Sequence, residues 1–200
     1  MIGIWHRSNT VTLAGVVVAS LGVALAAAGQ PSAVLCLVVA GVCDLLDGTF
    51  ARRFQRDARM RAYGIQLDSL ADMVSFVVLP VAILMGYGLP WWAVALVTAL
   101  YAVAAVTRLA FFNVTTDSES ERVAYCGLPV TYAALVLPVV WVVVPWAGAV
   151  PVVWAATMVV LAVLFVVDIP VPKPRGAATA GFLILALVLA TAIAIRLVWP

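Results

Sequence analysis

Long runs of apolar residues limit what this chain can fold into more than any other feature. A helix that crosses a bilayer needs about 20 mostly apolar residues. Seven runs approach that length, separated by glycine, proline or polar residues. They cover residues 10–28, 32–51, 65–87, 89–112, 128–146, 150–169 and 177–198. We therefore predict an all-α integral membrane protein, a bundle of about seven transmembrane helices that forms a single membrane-embedded domain over residues 1–200.

Composition excludes a water-soluble globule. Hydrophobic residues make up 66% of the chain and charged residues 10%, whereas a soluble domain has roughly 45–50% and 25%. The same comparison excludes a disordered chain, a collagen and a coiled coil. Three cysteines, an odd number without metal-binding spacing, indicate buried thiols and not a disulfide framework.

Basic residues fall almost entirely on one side of the predicted bundle. If the runs alternate in direction, ten of the eleven lysines and arginines share the side on which the chain begins. The opposite connections, near residues 29–31, 88 and 147–149, carry no charge, and only Arg196 falls on their side. Because basic residues favour the cytoplasmic side, we predict a multi-pass cell-membrane protein with its N-terminus inside and its C-terminus outside.

Four aspartates interrupt the apolar runs, where an ionised carboxylate costs about 2.5–3.5 kcal/mol near mid-helix. Asp44 and Asp47 are three residues apart in the second run, and Asp68 and Asp72 are four apart in the third. Each pair therefore lies on one face of its helix, and the opposite directions of the two runs bring both pairs to a similar depth near the cytoplasm. Facing carboxylates repel, so we predict one or two divalent cations between them. Oxygen-only ligands favour Mg²⁺, Mn²⁺ or Ca²⁺.

Small residues and an arginine accompany these carboxylates. Gly48 and Ala51 share the carboxylate face of the second run, and Gly64 precedes Asp68 by four residues. Arg52 is placed to meet an anionic phosphate. Together these residues predict a pyrophosphate site at the membrane surface, although small residues alone would equally suit close helix packing.

Eight of these residues, in order, resemble the signature of the CDP-alcohol phosphatidyltransferase family, Asp-x-x-Asp-Gly-x-x-Ala-Arg and then Gly-x-x-x-Asp-x-x-x-Asp. They are Asp44, Asp47, Gly48, Ala51, Arg52, Gly64, Asp68 and Asp72. The linker between the two halves is longer than the common form by about one helical turn. Further stretches resemble the phosphatidylserine synthases of bacteria and archaea. These are LDSLADMVSF at 67–76, RLAFFN at 108–113, GLPVT at 127–131 and the segment 169–173.

Two positions depart from those synthases. Phe111 stands where they have the second arginine of RLARFN, and Val77 stands where they have a glycine. Either substituted side chain would reshape the alcohol pocket if it lined that pocket.

The resemblance implies a fold and a reaction. The fold is a six-helix family core, here with an added C-terminal helix. The reaction, part of phospholipid biosynthesis, transfers a phosphatidyl group from CDP-diacylglycerol to the hydroxyl of an alcohol, here L-serine, and releases CMP. A homodimer is implied as well.

The resemblance also implies roles for the signature residues. Two divalent ions, Mg²⁺ or Mn²⁺, would be held by the four aspartates, with Ca²⁺ as a non-productive occupant. Asp72 would also be the catalytic base. CDP and its pyrophosphate would be bound by Asp44, Gly48, Ala51, Arg52 and Gly64.

Arg108 is the main candidate for binding the alcohol. It ends the fourth run near the cytoplasmic face, where a serine carboxylate needs a positive partner; a snorkelling arginine is the alternative. Asn113, Thr131 and Lys173 are further alcohol-binding candidates on the same side. The other arginines of the stretch 52–61 could simply hold anionic lipid headgroups.

Several alternatives stay open at this point. The acceptor could be inositol phosphate or glycerol phosphate, and the donor an archaeal CDP-lipid. A cation transporter would favour carboxylates at mid-membrane and polar residues on the outer side, where this chain has nearly featureless connections. A non-catalytic binder of nucleotide-lipids would tolerate Asp72→Asn. Nothing in the sequence points to a nucleic-acid partner.

Overall fold

Seven helices joined mostly by short connections make up the described part of the chain. The structure is a computed structural model that describes residues 6–51, 53–119, 124–144, 148–172 and 177–199. The helices are α1 (Thr10–Ala27), α2 (Ala33–Ala51), α3 (Ala58–Met85), α4 (Trp91–Glu119), α5 (Ala133–Val143), α6 (Val150–Val166) and α7 (Ala177–Val198). The predicted all-α membrane bundle is confirmed.

The predicted spans differ in length. Five of the described helices are long and apolar enough to cross a membrane. The fifth run, predicted over 128–146, is helical only over Val130–Val143, a 3₁₀ turn followed by α5, and α6 has 17 residues. The fifth segment begins only after Pro129, and α6 begins at residue 150 as predicted but ends three residues before the predicted end at 169.

Small residues let the first helices approach closely. A Cβ on Gly22 would lie 2.7 Å from the Cβ of Cys36, and one on Gly41 would lie 2.6 Å from the Cβ of Ala134. Glycine at these positions therefore allows α1 to pack on α2 and α2 on α5. None of the three cysteines forms a disulfide, as predicted; Cys36 is buried, whereas Cys43 and Cys126 are partly exposed.

Helix α3 begins seven residues before the predicted third run, so the arginine-rich connection predicted over 52–61 is wrong in its second half. Asp57 explains the early start, because its Oδ1 accepts a hydrogen bond from the backbone N–H of Met60 at 2.7 Å. Such an N-cap satisfies a backbone donor that the first turn of a helix leaves without a partner.

A π-helical segment, Met73–Val78, follows directly after Asp72 in α3. Pro80 has no N–H to donate to the carbonyl of Phe76, four residues earlier. That carbonyl instead accepts a hydrogen bond from the buried hydroxyl of Tyr101 in α4, at 2.8 Å. The wide turn thus lets α3 accommodate the proline just beyond its two aspartates.

Helix α4 continues seven residues past its predicted end at 112, so the first half of the polar stretch 113–126 is helical and not a connection. The chain then forms a strand, β1 (Ala124–Cys126), that pairs antiparallel with β2 (Pro170–Pro172). The predicted runs place connections without strands at both positions, between 112 and 128 and between 169 and 177. Three-residue strands are too short to give a recognisable alternation of apolar and polar residues.

Gly127 joins this two-stranded ribbon to α5. Its φ is 80°, and its N–H donates to the carbonyl of Ile169 at 2.8 Å. A Cβ there would lie 2.9 Å from the carbonyl oxygen of Phe165, so only glycine fits both the dihedral angle and the space. The ribbon and Gly127 together fix the start of α5 against the end of α6.

Arg196, the exception to the charge pattern, has a structural partner. Its guanidinium donates to the carbonyls of Trp141, Val142 and Val144 at the C-terminal end of α5. It also lies 4.6 Å from the centroid of the Trp141 ring. The side chain thus satisfies carbonyls that a helix end leaves exposed and ties α7 to α5.

Candidate active site

A cavity of about 310 Å³ lies beside the C-terminal half of α2. Its lining is partly polar, with the four aspartates, Thr49, Thr131 and Arg108. Its apolar lining residues include Val38, Val42, Leu45, Leu135, Phe182 and Ala186. The cavity can therefore accept a molecule with a charged part and a hydrocarbon part.

The four aspartates converge on this cavity. Asp44, Asp68 and Asp72 each offer an oxygen, and these three oxygens lie within 4.8 Å of one another. Asp47 lines the same cavity. The carboxyl groups also lie within hydrogen-bonding reach across the two helices, Asp44 with Asp72 and Asp47 with Asp68.

Carboxylates this close repel one another unless protons or cations lie between them. The donor set consists of oxygen atoms, which suits hard divalent ions such as Mg²⁺ and Mn²⁺. The residues present therefore fit the divalent cations that the sequence predicts. The spacings of three and four residues produce this geometry because each pair lies along one face of its helix.

One of the three small residues of the signature lines the cavity, and two do not. Gly48 lines the cavity, whereas Ala51 is buried and lies outside the lining. Gly64 also lies outside it: a Cβ there would sit 3.5 Å from Nη1 of Arg56. Arg52 lies outside the described residues, so its predicted contact with phosphate stays a prediction.

Two threonine hydroxyls meet the carboxylates of α2. Thr12 in α1 donates to Oδ2 of Asp47 at 2.8 Å, and Thr131 lies close to Asp44 in the cavity lining. Thr131 was predicted as an alcohol ligand, and its hydroxyl lies near a carboxylate of the cluster. Thr12 was missed.

The sequence offers no signal for Thr12. Threonines in apolar helices commonly bond to their own backbone, as Thr107 does to the carbonyl of Val103 at 2.8 Å and Thr157 to that of Val153 at 2.7 Å. Only the packing of α1 on α2 distinguishes Thr12 from these.

Arg108 lines the cavity and is 4% exposed. Its guanidinium carbon lies 5.9 Å from the centroid of the Phe112 ring, and a Cβ on Gly127 would lie 3.6 Å from its Nε. The side chain therefore packs inside the protein and does not snorkel to the interface. It supplies a buried positive charge beside the carboxylates.

The remaining alcohol-binding candidates lie elsewhere. Asn113 is outside the cavity lining: its Oδ1 accepts from Ser69 Oγ at 2.8 Å and its amide donates to Gln66 at 3.4 Å, which joins α4 to α3. Lys173 lies outside the described residues. Tyr132 and Phe182 were not predicted, and they line the cavity as an edge-to-face pair with ring centroids 5.6 Å apart.

The two departures from the synthases do not touch the cavity lining. Phe111 is 44% exposed on the outer surface of α4, and Val77 is buried in the π-helical segment of α3. The concern that these residues reshape the alcohol pocket is therefore not supported by their positions.

Comparison with known proteins identifies the family. A model of the CDP-alcohol phosphatidyltransferase family matches residues 5–199. The chain belongs to this family. The match includes the residues that line the cavity, and the membership agrees with the resemblance seen in the sequence.

Several relatives are named CDP-diacylglycerol–serine O-phosphatidyltransferase. The chain is 40% identical to one from Mycobacterium tuberculosis over 94 residues, which cover 46% of this chain and 32% of the relative. It is 40% identical to one from Saccharomyces cerevisiae over 108 residues (50% and 38%) and 31% identical to one from Bacillus subtilis over 109 residues (53% and 58%). The matched segment thus spans only about a third of the first two relatives.

Proposed function

We propose that this protein transfers a phosphatidyl group from CDP-diacylglycerol, or a related CDP-lipid, to the hydroxyl of L-serine and releases CMP. The observation that carries the proposal is the mixed lining of the cavity, in which four carboxylates and many apolar side chains surround one space. A CDP-lipid has the matching chemistry, a diphosphate next to hydrocarbon. Family membership and the names of the relatives support the same reaction.

The proposed step is a substitution at phosphorus. The serine hydroxyl oxygen attacks the phosphorus that carries the diacylglycerol, and the phosphoanhydride bond to CMP breaks. CMP leaves with the electron pair of that bond, and Asp72 accepts the hydroxyl proton. A carboxylate near the nucleophile suits this transfer, and Asp72 is 8% exposed beside the carboxylates that would flank the diphosphate.

Charge is the main obstacle in this reaction, because the diphosphate and the carboxylates are both anionic. Bound Mg²⁺ or Mn²⁺ would neutralise the diphosphate oxygens and the leaving phosphate. Asp44, Asp47, Asp68 and Asp72 are the residues we propose as its ligands. Gly48 leaves space for the nucleotide beside them, and we extend the nucleotide site to Ala51, Arg52 and Gly64.

Arg108 is our candidate for the serine carboxylate. It is the buried cation that lines the described cavity, and an arginine fork matches a carboxylate geometrically. The positions of Phe111 and Val77 outside the lining support a serine-type pocket. Asn113, Thr131 and Lys173 stay weaker candidates; of these, Thr131 lines the cavity.

The proposal also covers the orientation of the chain in the membrane and its oligomeric state. The arginines at both ends of the α2–α3 connection support a cytoplasmic N-terminus and active site, which would place a water-soluble acceptor and the aspartates on one side. A single domain over the whole chain and a homodimer complete the proposal.

A CMP-release assay tests the reaction. The full chain in detergent is incubated with CDP-diacylglycerol, Mn²⁺ or Mg²⁺, and serine, inositol phosphate or glycerol phosphate in separate reactions. We expect CMP release with serine and its loss when EDTA removes the cation. Release with a phosphorylated alcohol alone would reassign the acceptor, and no release with any acceptor would contradict the transferase.

Asp72→Asn tests the base, and Asp57→Asn is its matched control. We expect Asp72→Asn to slow CMP release by about 10²–10⁴-fold. Asp57 is exposed and caps α3, a role that asparagine fills equally well, so its variant should keep the wild-type rate. Equal rates in the two variants would refute the catalytic role of Asp72.

A further inference from the structure

Helix α1 reaches the site through a single described hydrogen bond. The described residues that line the cavity begin at Val38 in α2, so α1 contributes no side chain to the lining. Thr12 nevertheless donates to Oδ2 of Asp47 at 2.8 Å, across 35 residues of sequence. A half-buried hydroxyl on an apolar helix thus donates to a carboxylate of the site although its own helix does not contribute to the described lining.

A second hydroxyl lies close to the other carboxylate of α2. Thr131 lies in the 3₁₀ turn Val130–Tyr132, and it lines the cavity together with Asp44. The preceding backbone is held in place, because Gly127 and Leu128 donate to the carbonyls of Ile169 and Leu164 at 2.8 and 3.0 Å. The start of α5 therefore presents Thr131 at a fixed position.

We propose that Thr12 and Thr131 are positioning residues that hold the two carboxylates of α2 in the orientation that binds divalent cations. The proposal rests on the proposed function, since it concerns the same site. Thr12 donates to Asp47 and Thr131 lies close to Asp44, so a hydroxyl from a neighbouring segment accompanies each aspartate of α2.

The physical reason lies in the carboxylate itself. The terminal torsion of an aspartate is broad and roughly two-fold, so an unsupported carboxylate rotates freely. A hydroxyl that donates to one oxygen restricts this rotation and leaves the remaining lone pairs for a cation. Partners behind metal ligands commonly change metal affinity by about 10–100-fold.

The orientation matters more here than in an exposed cluster. Asp44 and Asp47 also lie within hydrogen-bonding reach of Asp72 and Asp68. Without the threonines, a carboxylate of α2 is free to turn away from the space that the oxygens of both helices share. The hydroxyls therefore favour the arrangement in which the oxygens of both helices point into the same space.

Cation binding by the full chain in detergent tests this without relying on catalysis. The thermal midpoint of each variant is measured while Mn²⁺ is titrated, and the Mn²⁺ concentration that gives half of the stabilisation is read from that protein's own curve. Free Mn²⁺ measured by electron paramagnetic resonance gives an independent value. The variants are Thr12→Val, Thr12→Ser, Thr131→Val and Thr131→Ser.

We expect each valine variant to need about tenfold more Mn²⁺ and each serine variant to stay near wild type. Thr107→Val is the matched control, because Thr107 bonds to its own helix backbone at 2.8 Å and is exposed. A purely structural threonine would lower the thermal midpoint without moving the Mn²⁺ concentration, and that result in both valine variants would overturn the inference.

Failure of this inference is distinguishable from failure of the proposed function. If wild type binds Mn²⁺ and releases CMP while both valine variants titrate like wild type, only the positioning role is wrong. If wild type shows no saturable stabilisation by Mn²⁺ or Mg²⁺, the cation site and the positioning role fail together.

Discussion

The charged residues at the two ends of the bundle are stabilised in different ways. Arg196, at the end near Trp141, is bonded to three backbone carbonyls and stacked on an indole ring. The aspartates at the other end lie close together around a cavity, and Asp47 accepts a hydrogen bond from Thr12. The single charge of Arg196 is compensated by partners within the protein, whereas the cluster carries like charges that need a ligand.

This difference separates a structural charge from a functional one. Burying a charge is costly unless partners compensate it, and Arg196 has those partners in the folded chain. The aspartates gain full compensation only from something that enters the cavity. Substitutions at the two ends should therefore have opposite consequences for stability and activity.

The largest effect is expected at the carboxylates. Asp44→Asn removes a proposed cation ligand, and we expect CMP release to fall at least about 100-fold, since metal ions supply several kcal/mol in such reactions. The same variant relieves repulsion among the carboxylates, so its thermal midpoint in EDTA should exceed that of wild type. Differential scanning fluorimetry in EDTA checks this, and a lower midpoint would contradict the view that the cluster is destabilising on its own.

Substitution of Arg108 should have an effect of intermediate size, because Arg108 is buried as a structural charge would be and also lines the cavity. We expect Arg108→Gln to raise the KM for serine about tenfold or more, the loss of one hydrogen-bonded charge pair, with little change in the Mn²⁺ titration. Steady-state kinetics measures this. Phe111→Leu, on the exposed surface of α4, is the control, and an unchanged KM in Arg108→Gln would remove Arg108 from the acceptor site.

At the opposite end, Arg196→Met should affect stability and spare the chemistry. It leaves carbonyls at the end of α5 without their donors, and we expect the free energy of unfolding to fall by about 1–3 kcal/mol. CMP release per folded molecule should match wild type. Arg196→Lys should recover part of the stability, and a selective loss of activity would show that the end of the bundle opposite the aspartates also serves the reaction.

The smallest effect is expected at the π-helical segment. Tyr101→Phe leaves the carbonyl of Phe76 without its donor, which should cost about 1 kcal/mol. Because this carbonyl lies one turn beyond Asp72, a shift in the Mn²⁺ titration of this variant would show that the segment also sets the rotation of the aspartates. A change in thermal midpoint alone would mark it as structural.

Spacing along the helices predicted the centre of the site well. Asp44, Asp47, Asp68 and Asp72 converge because three- and four-residue intervals fix one helical face, a local rule that needs no knowledge of the rest of the fold. Arg108 was found by its charge in an apolar run. Both predictions depend on charged residues that cost free energy inside an apolar segment, and such residues are visible directly in the sequence.

Features that depend on contacts between distant segments were missed. Thr12 looks like any threonine in an apolar helix until α1 packs on α2. The π-helical segment needed both Pro80 and Tyr101, one of them on another helix. The early start of α3 depended on the cap at Asp57, which the arginines around it obscured, and the two strands were too short to show a pattern.

The two short helices have a consequence for the surrounding bilayer. At about 1.5 Å per residue, the helical segment Val130–Val143 is roughly 21 Å long, against a hydrocarbon thickness of about 30 Å. Lipids adjust to a short hydrophobic segment by local thinning. This segment begins at residues that line the cavity. We therefore expect water to come closest to the aspartates beside this segment, where the hydrocarbon layer that a polar acceptor must cross is thinnest.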